Sequence, residues 1–339
     1  MNIRMLIIMS ILSLLSEVGG QNIFPVLGGQ RAGTSVLTFL NIGVSASAVG
    51  MGESVVALEQ NAASMYYNPG IIAQLGPMEM TASHVSWPAD IYYDFFALSK
   101  KVYRRHYLGV TAGILHMAPM QETTEYLPHG TGNYFVFQNT VIGLVYGVKM
   151  TDRFSFGITG KLVSENLAGN IMQAALLDMG TFYWTGFKSL RFSASLSHFG
   201  GQAKPDGTYE KRTLNQDTGE ESIIETGFEP FSPPTVFRVG AAMNVFETKV
   251  QTITATIQLN HPVDNAENIS AGIEYSVIDM IFLRGGFNLN ESDEFEKKYS
   301  FGVGLNIPLG LFNLTVDYAY TNFIHLTDPN RFTIGLSMK

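Results

Sequence analysis

Apolar and polar residues alternate along most of the chain after Pro77. The alternation is clear in the C-terminal third, where Tyr299 and Phe301 fall on one face while Ser300 and Gly302 fall on the other. Alternation with period two over five or more positions is the pattern of a β-strand whose two faces meet different environments. We therefore predict that the chain after Pro77 is all-β.

Fourteen runs of this kind follow Pro77. They span residues 78–87, 90–100, 106–117, 134–150, 153–166, 173–186, 189–199, 234–246, 249–261, 267–277, 280–289, 298–308, 311–321 and 331–339. Single-chain outer-membrane barrels have an even number of antiparallel strands, with apolar residues outward and polar residues inward. The predicted fold is therefore all-β, a 14-stranded antiparallel transmembrane β-barrel over residues 78–339.

Long and short connections alternate between the predicted strands. The long stretch 200–233 follows an odd-numbered strand, whereas the turn Leu309-Gly310 follows an even-numbered one. Outer-membrane barrels have short periplasmic turns and longer outer loops, so both ends of the barrel are predicted to lie in the periplasm. Two connections depart from this alternation. The hairpin at 87–90 is short on the long-loop side, and Lys101–Arg105 is long on the short-turn side.

The first 77 residues do not alternate in this way. Residues 1–20 have the features of a secretory signal peptide: a basic Arg4, an apolar run over residues 5–15, and small residues before Gln21. We assign 21–42 as a lead-in segment. The alternative of a short N-terminal membrane anchor requires a longer apolar run than this one.

Residues 43–77 are predicted to form an N-terminal plug, or hatch, inside the barrel. Small residues are frequent in the first half of this stretch, and they allow backbone to pack closely against backbone. The turn dipeptide Asn68-Pro69 marks the second half. The plug motif consists of Gly50, Met51, Gly52, Asn68 and Pro69.

Composition agrees with a membrane barrel. Only 15% of the residues are charged, against about 25% in a typical soluble protein. A soluble two-sheet sandwich would also show alternating strands, but aromatic residues recur near the predicted strand ends, as in the interface girdles of barrels. The net charge of −8 argues against a nucleic-acid partner. Outer-membrane lipid is the partner that this fold requires.

Candidate chemistry is sparse. The sequence has no cysteine, its seven histidines include no i, i+4 pair, and no GxSxG motif occurs. We therefore expect no enzymatic activity, no cofactor and no metal site. Charged residues on the polar strand faces are predicted to point into the lumen, where they pair with each other or with the plug: Glu79, Asp94, Lys149, Lys161, Asp178, Arg191, Arg238, Glu274 and Asp317.

The stretch 31–75 resembles a known family. The residues that carry the resemblance are Arg31-Ala32-Gly33-Thr34, Phe39-Leu40-Asn41-Ile42-Gly43, Gly50-Met51-Gly52-Glu53, and Ala62-Ala63-Ser64 leading into Tyr67-Asn68-Pro69. Together with the strands, this stretch resembles the FadL-like outer-membrane transporters, and more closely the PorV/PorQ branch associated with type IX secretion. Two positions depart from that branch: Ser47 stands where it usually has Arg, and Gly70-Ile71 replaces its Ala-Gly.

The resemblance implies a role in type IX protein secretion or in surface attachment of cargo, with secreted proteins or other secretion-system subunits as partners. The alternative is a FadL-like transporter with a hydrophobic small molecule as its ligand. A transporter should have an apolar pocket between plug and wall, whereas a secretion factor should have a blocked lumen. A porin-like structural protein, the third possibility, would conduct ions once 43–75 was removed. Because Ser47 replaces Arg, we expect packing and hydrogen bonds to hold the plug more than ion pairs.

Overall fold

The computed structural model describes residues 33–214, 221–290 and 297–339. The predicted signal peptide (1–20) and the part of the lead-in before residue 33 lie outside the described residues. None of the helices within the described ranges has the length and apolar character that a membrane-crossing helix needs.

Fourteen antiparallel strands close into one barrel, which confirms the predicted fold. We number the barrel strands β1 Met78–Trp87, β2 Ile91–Tyr103, β3 His106–Met117, β4 Phe137–Lys149, β5 Phe154–Leu167, β6 Asn170–Trp184, β7 Arg191–Gly200, β8 Val236–Glu247, β9 Gln251–Pro262, β10 Asn268–Val277, β11 Ile281–Asn290, β12 Lys297–Leu309, β13 Phe312–Phe323 and β14 Asn330–Met338. Each strand pairs with the next along the chain, and β14 pairs with β1. The barrel is therefore an up-and-down meander.

The observed strands lie close to the predicted ones, with two instructive differences. Strand β2 continues to Tyr103, so the connection to β3 is only Arg104–Arg105, and the expected long turn at 101–105 is wrong. Strand β4 begins at Phe137 rather than at residue 134. Tyr134–Phe135 instead pairs with Met120–Gln121 in a small two-stranded sheet.

The two ends of the barrel differ in their connections. One end, the short-turn end, carries tight turns such as 104–105 and 310–311. The other, the long-loop end, carries the connections 118–136 and 201–235. The second of these includes a hairpin in which Thr208–Leu214 pairs with Glu221–Gly227.

The outward face of the wall is apolar and the inward face is buried. Leu144, Leu162 and Ile142 are outward residues, and each exposes more than half of its surface. Along the same strands the alternate residues, such as Val145 and Thr159, are buried inside the barrel. This is the two-faced pattern that the alternation in the sequence predicts.

Residues 33–77, which we call the interior segment, run through the inside of the barrel. They form a 3₁₀-helix at Thr38–Asn41, α-helical turns at Ala46–Gly50 and Ser64–Tyr67, and a second 3₁₀-helix at Pro69–Gln74. Almost every side chain from Leu37 to Leu75 is buried. Proline fits the first turn of a helix, where its missing N–H has no partner to lose, so the last helix begins at Pro69.

Candidate functional site

The stretch Gly50–Gly52 packs directly against glycines of the wall. A Cβ on Gly286 would lie 1.9 Å from the Gly52 nitrogen, and one on Gly302 would lie 3.1 Å from the Gly50 Cα. A Cβ on Gly272 would lie 2.5 Å from the carbonyl oxygen of residue 51. Gly52 itself has φ +66°, a conformation that favours glycine. Backbone therefore meets backbone where β10, β11 and β12 face the interior segment.

Asn68 anchors the second half of the interior segment. Its fully buried side chain donates to the carbonyl oxygens of Val56 (2.8 Å) and Thr181 (2.9 Å), and its Oδ1 accepts from the Gly70 nitrogen at 2.9 Å. A Cβ on Gly180 would lie 1.9 Å from that Oδ1. Asn68 therefore caps the following helix and joins the segment to strand β6 at the same time.

Further hydrogen bonds tie the interior segment to the wall on several sides. They link Ala46 N to Thr333 Oγ1, Gly52 N to Ser300 Oγ, Val56 N to Gln258 Oε1, Ser155 Oγ to the Gly70 carbonyl, Ser195 Oγ to the Tyr67 carbonyl and Arg331 Nε to the Gly43 carbonyl. The carbonyl group of Pro69 packs against Gly157, where a Cβ would lie 2.2 Å from its oxygen. Wall side chains thus satisfy the backbone polar groups of a segment with little regular secondary structure.

Arg191 supplies an ionic contact to the interior segment. Its Nε donates to the Ala57 carbonyl at 3.2 Å and lies 3.6 Å from Oε2 of Glu59. The guanidinium also lies 5.1 Å from the centre of the Trp184 ring. Burial raises the pKa of the Glu59 carboxyl, and the positive charge of Arg191 offsets part of that rise.

A polar cavity of about 120 Å³ lies between the interior segment and strands β10 to β13, toward the short-turn end. Arg284 lines this cavity and binds two carboxylates. Its Nε donates to Glu274 Oε2 at 2.6 Å, and its Nη1 donates to Asp317 Oδ1 at 2.5 Å. The interior segment contributes Ser47, Glu59, Gln60 and Asn61 to the lining. Two predicted lumen charges, Glu274 and Asp317, are thus brought together by an arginine that the sequence analysis omitted.

A second charged cluster lies inside β5, β6 and β7. The fully buried Lys161 Nζ is 2.6 Å from Asp178 Oδ2, 3.3 Å from His198 Nδ1 and 4.4 Å from the centre of the Tyr66 ring. The backbone nitrogen of His198 donates to Asp178 Oδ1 at 2.8 Å. The register of β6 and β7 shifts between residues 177 and 179, and His198 adopts φ 60° at this bulge.

Three more charged residues lie inside the barrel. Arg238 Nη1 donates to Ser197 Oγ at 3.0 Å, close to the second cluster. Glu79, near the short-turn end, accepts from the Gly76 nitrogen at 2.8 Å. Arg331, which was also absent from the predicted set, is fully buried and donates to the Gly43 carbonyl. The signal that could have identified Arg331 and Arg284 is their position on the inward face of alternating strands.

Asp94 does not point into the lumen, and its predicted position is wrong. Its neighbours Tyr93 and Phe95 are the inward, buried residues of β2, so Asp94 lies on the outward face. The rule that polar residues point inward fails here because this part of the interior is apolar. Asp94 instead bridges His84 and His116 on the outer wall.

Most inward residues of β1 to β6 nearest the long-loop end are apolar; Asn139 on β4 and its cross-strand partner Glu165 on β5 are exceptions. The apolar residues form a buried cluster, the apolar sector, that contains Val85, Tyr93, Phe95, Leu115, Val141, Val163, Met172 and Leu176. Leu37, Phe39 and Leu40 of the interior segment belong to the same cluster. The Phe39 and Tyr93 rings meet edge to face at 6.1 Å.

The inward residues of β7 to β14 are mostly small, polar or charged. Buried members of this polar sector include Ser193, Ser195, Thr254, Thr256, Gln258, Ser270, Ser300, Asp317, Thr321, Arg331 and Thr333. The interior is therefore divided into the apolar sector and the polar sector, and the Lys161–Asp178 pair borders the apolar sector beside Val163 and Leu176. No group of three His, Cys, Asp or Glu residues in the described ranges is arranged to hold a metal ion.

Three solved structures are similar to this chain over most of its length. CymD, a monoaromatic hydrocarbon channel, has a TM-score of 0.57 and 12% identity, covering 87% of this chain and 96% of that chain. The Ralstonia pickettii toluene transporter TbuX has a TM-score of 0.57 and 12% identity, covering 88% of this chain and 98% of that chain. The Pseudomonas putida toluene transporter TodX has a TM-score of 0.54 and 12% identity, covering 85% of this chain and 95% of that chain. No protein-family model and no curated protein sequence matches the chain.

At this level of identity the likeness concerns the fold. The chain has the fold of the FadL-like 14-stranded barrels, as the sequence resemblance implied at its broader level. The three similar structures are named as a monoaromatic hydrocarbon channel and two toluene transporters.

Proposed function

We propose that this protein is a channel for small hydrophobic molecules across the bacterial outer membrane. The observation that carries the proposal is the apolar sector. Porin lumens are polar and filled with water. A continuous buried surface with Tyr93, Phe95 and Leu115 instead offers an apolar solute an environment that it prefers to water.

The two ends of the barrel give the proposed path a direction. With long loops outside and short turns in the periplasm, the apolar sector lies toward the cell exterior. A solute that enters there meets the interior segment before it reaches the short-turn end. Because Leu37, Phe39 and Leu40 are packed against the wall, passage requires the interior segment to shift relative to β1 to β6.

Monoaromatic hydrocarbons are the first substrate class to test. They are the named substrates of CymD and the TodX type of channel. The apolar sector of this chain also contains aromatic rings, and the Tyr66 and Phe95 rings meet edge to face at 5.3 Å. Such rings favour contact with a further aromatic molecule.

A disulfide between the interior segment and β14 tests this proposal. Ala46 N lies 2.9 Å from Thr333 Oγ1, so Ala46→Cys and Thr333→Cys introduce one thiol on each side of this contact in a chain with no other cysteine. We expect cells that express the oxidised double variant to take up radiolabelled toluene no faster than cells without the protein. Reduction should restore uptake to the rate of the unmodified chain.

The single variants Ala46→Cys and Thr333→Cys are the matched controls, and both should transport in either redox state. Undiminished uptake by a fully cross-linked protein would contradict a shift of the interior segment. Normal toluene uptake in cells that lack the chain, together with secreted proteins trapped in their periplasm, would instead support the type IX secretion role of the PorV/PorQ branch.

A further inference from the structure

Four side chains form a compact group on the outward face of β1, β2 and β3. Asp94 Oδ1 lies 2.6 Å from His84 Nδ1, and Asp94 Oδ2 lies 3.0 Å from His116 Nε2. The Tyr92 ring lies between the two imidazoles, with ring centres 5.6 Å from His84 and 5.9 Å from His116. We call these four residues the imidazole ledge.

The ledge lies in the outward row of residues near the long-loop end. His84 pairs across the strands with Phe332, and Phe332 pairs with Tyr318. The centres of the Phe332 and Tyr318 rings are 4.9 Å apart, and Phe332 is 55% exposed. Outward aromatic residues form girdles at the membrane interfaces of barrels. The ledge is therefore at the level where lipid headgroups begin.

The hydrogen bonds of the ledge leave one nitrogen of each imidazole for another partner. His84 uses Nδ1 and His116 uses Nε2 toward Asp94, and the two side chains are 48% and 41% exposed. A doubly protonated imidazole donates from both nitrogens. In that form Asp94 accepts from the inner nitrogen of each ring, and the outer nitrogens of His84 and His116 are donors. Tyr92 separates the imidazoles, which prevents them from sharing one metal ion.

We propose that the imidazole ledge binds the phosphate group of a membrane lipid in the leaflet at the long-loop end. The outer nitrogens of His84 and His116 donate to phosphate oxygens, and Asp94 holds both rings in position from beneath. The surrounding wall, with Phe332 and Phe96 exposed, contacts the acyl chains. The proposal requires that the wall spans a membrane, but it does not depend on what the lumen transports.

Native mass spectrometry of the full chain in detergent tests the proposal. The probes are phosphatidic acid and a diacylglycerol with the same acyl chains, offered separately at pH 6. The groups that face the ledge from each strand are His84 on β1, Tyr92 and Asp94 on β2, and His116 on β3. Retention of phosphatidic acid should exceed that of diacylglycerol about tenfold, because only phosphatidic acid carries a phosphate that can accept from the outer nitrogens.

The double variant His84→Phe/His116→Phe keeps rings on both sides of Tyr92 but removes the donors. It should retain phosphatidic acid and diacylglycerol equally. Asp94→Asn, which keeps the shape but removes the carboxylate that accepts from both rings, should reduce the preference for phosphatidic acid. His106→Phe is the matched control, since His106 bonds Tyr146 Oη at the opposite end of the wall.

His106→Phe should behave like the unmodified chain. Equal retention of the two lipids by the unmodified chain at pH 6 would overturn the proposal. Undiminished preference for phosphatidic acid in the double variant would do the same. If the double variant does not assemble, an undiminished preference for phosphatidic acid in both single variants, His84→Phe and His116→Phe, is sufficient to reject it.

Discussion

Glycines in the barrel wall determine how closely the interior segment can approach. Gly272, Gly286 and Gly302 occupy inward positions on three neighbouring strands, and each faces the backbone of Gly50–Gly52. A side chain at any of them would occupy space that the segment already fills. The plug motif therefore has a matching set of small residues on the other side of the contact.

Gly286 and its neighbour Gly285 allow a matched test of this contact. A Cβ on Gly286 would lie 1.9 Å from the Gly52 nitrogen, whereas one on Gly285 meets only Ile273 Cγ2 at 3.7 Å. Gly286→Ala should cost about 1–3 kcal/mol, because the backbone on either side must move. Gly285→Ala should be nearly neutral. The measurement is the temperature at which the folded, fast-migrating form is lost in gel electrophoresis; equal temperatures for the two variants would contradict the close contact.

The sequence predicted the charged residues better than their partners. Glu274, Asp317, Lys161 and Asp178 do lie inside the barrel, because the rule of polar residues inward applies on their strands. Their pairing depends on which strands are neighbours at a given height, which alternation does not specify. Asp94 was misplaced since its strand has aromatic residues on both faces, so polarity did not indicate which face points inward.

At the scale of elements, the interior segment depends on hydrogen bonds to the wall more than on its own helices. Its helical turns are four to six residues long, and helices this short are not stable alone. The turn at Asn68 is the point where three parts meet: the helix that follows, the turn at Val56 and wall strand β6.

Asn68→Ala should therefore impair assembly of the barrel. It removes the donors for two buried carbonyl groups and the acceptor for the Gly70 nitrogen, and each unsatisfied buried group costs about 1–3 kcal/mol. Asn41→Ala is the matched control, because Asn41 is exposed and makes a 3.3 Å bond to Asp264 near the rim. The readout is the yield of folded protein in the membrane fraction. Similar yields for the two variants would show that Asn68 does not anchor the segment.

Strand positions were predictable to within a few residues because each strand must present one face to the interior. The exceptions occur where strands end. Tyr134–Phe135 continues the alternation but pairs within the long-loop end instead of in the barrel. The helical turns of the interior segment could be placed only roughly, since tertiary contacts rather than periodicity determine them.

At the scale of the whole molecule, the orientation of the barrel can be tested directly. The chain has no cysteine, so a single introduced thiol gives an unambiguous label. His129→Cys, in the exposed connection after β3, should react with a membrane-impermeant maleimide on intact cells. Asp152→Cys, in the exposed turn after β4, should react only after the outer membrane is permeabilised. Labelling of Asp152→Cys alone on intact cells would reverse the proposed orientation.

The division of the lumen into an apolar and a polar sector was not predicted from the sequence. The polar sector follows from clean alternation in the C-terminal strands. In β2 to β6 both faces are rich in apolar residues, because the outward face is apolar along the wall and the inward face forms the apolar sector. Such strands show little contrast between their faces in the sequence. This side of the barrel carries the proposed transport path.

The pairing of β14 with β1 has a consequence for the order of assembly. Every other strand pair in the barrel joins neighbours along the chain, whereas this seam joins Ser83 to Thr333. Contacts between distant parts of a chain form late, because the intervening loop is costly to close. Thr333 and Arg331 of β14 also bond the interior segment, at Ala46 and Gly43. These two bonds span even more of the chain than the seam does. We therefore expect closure of the wall and attachment of the interior segment to β14 to belong to the same late step.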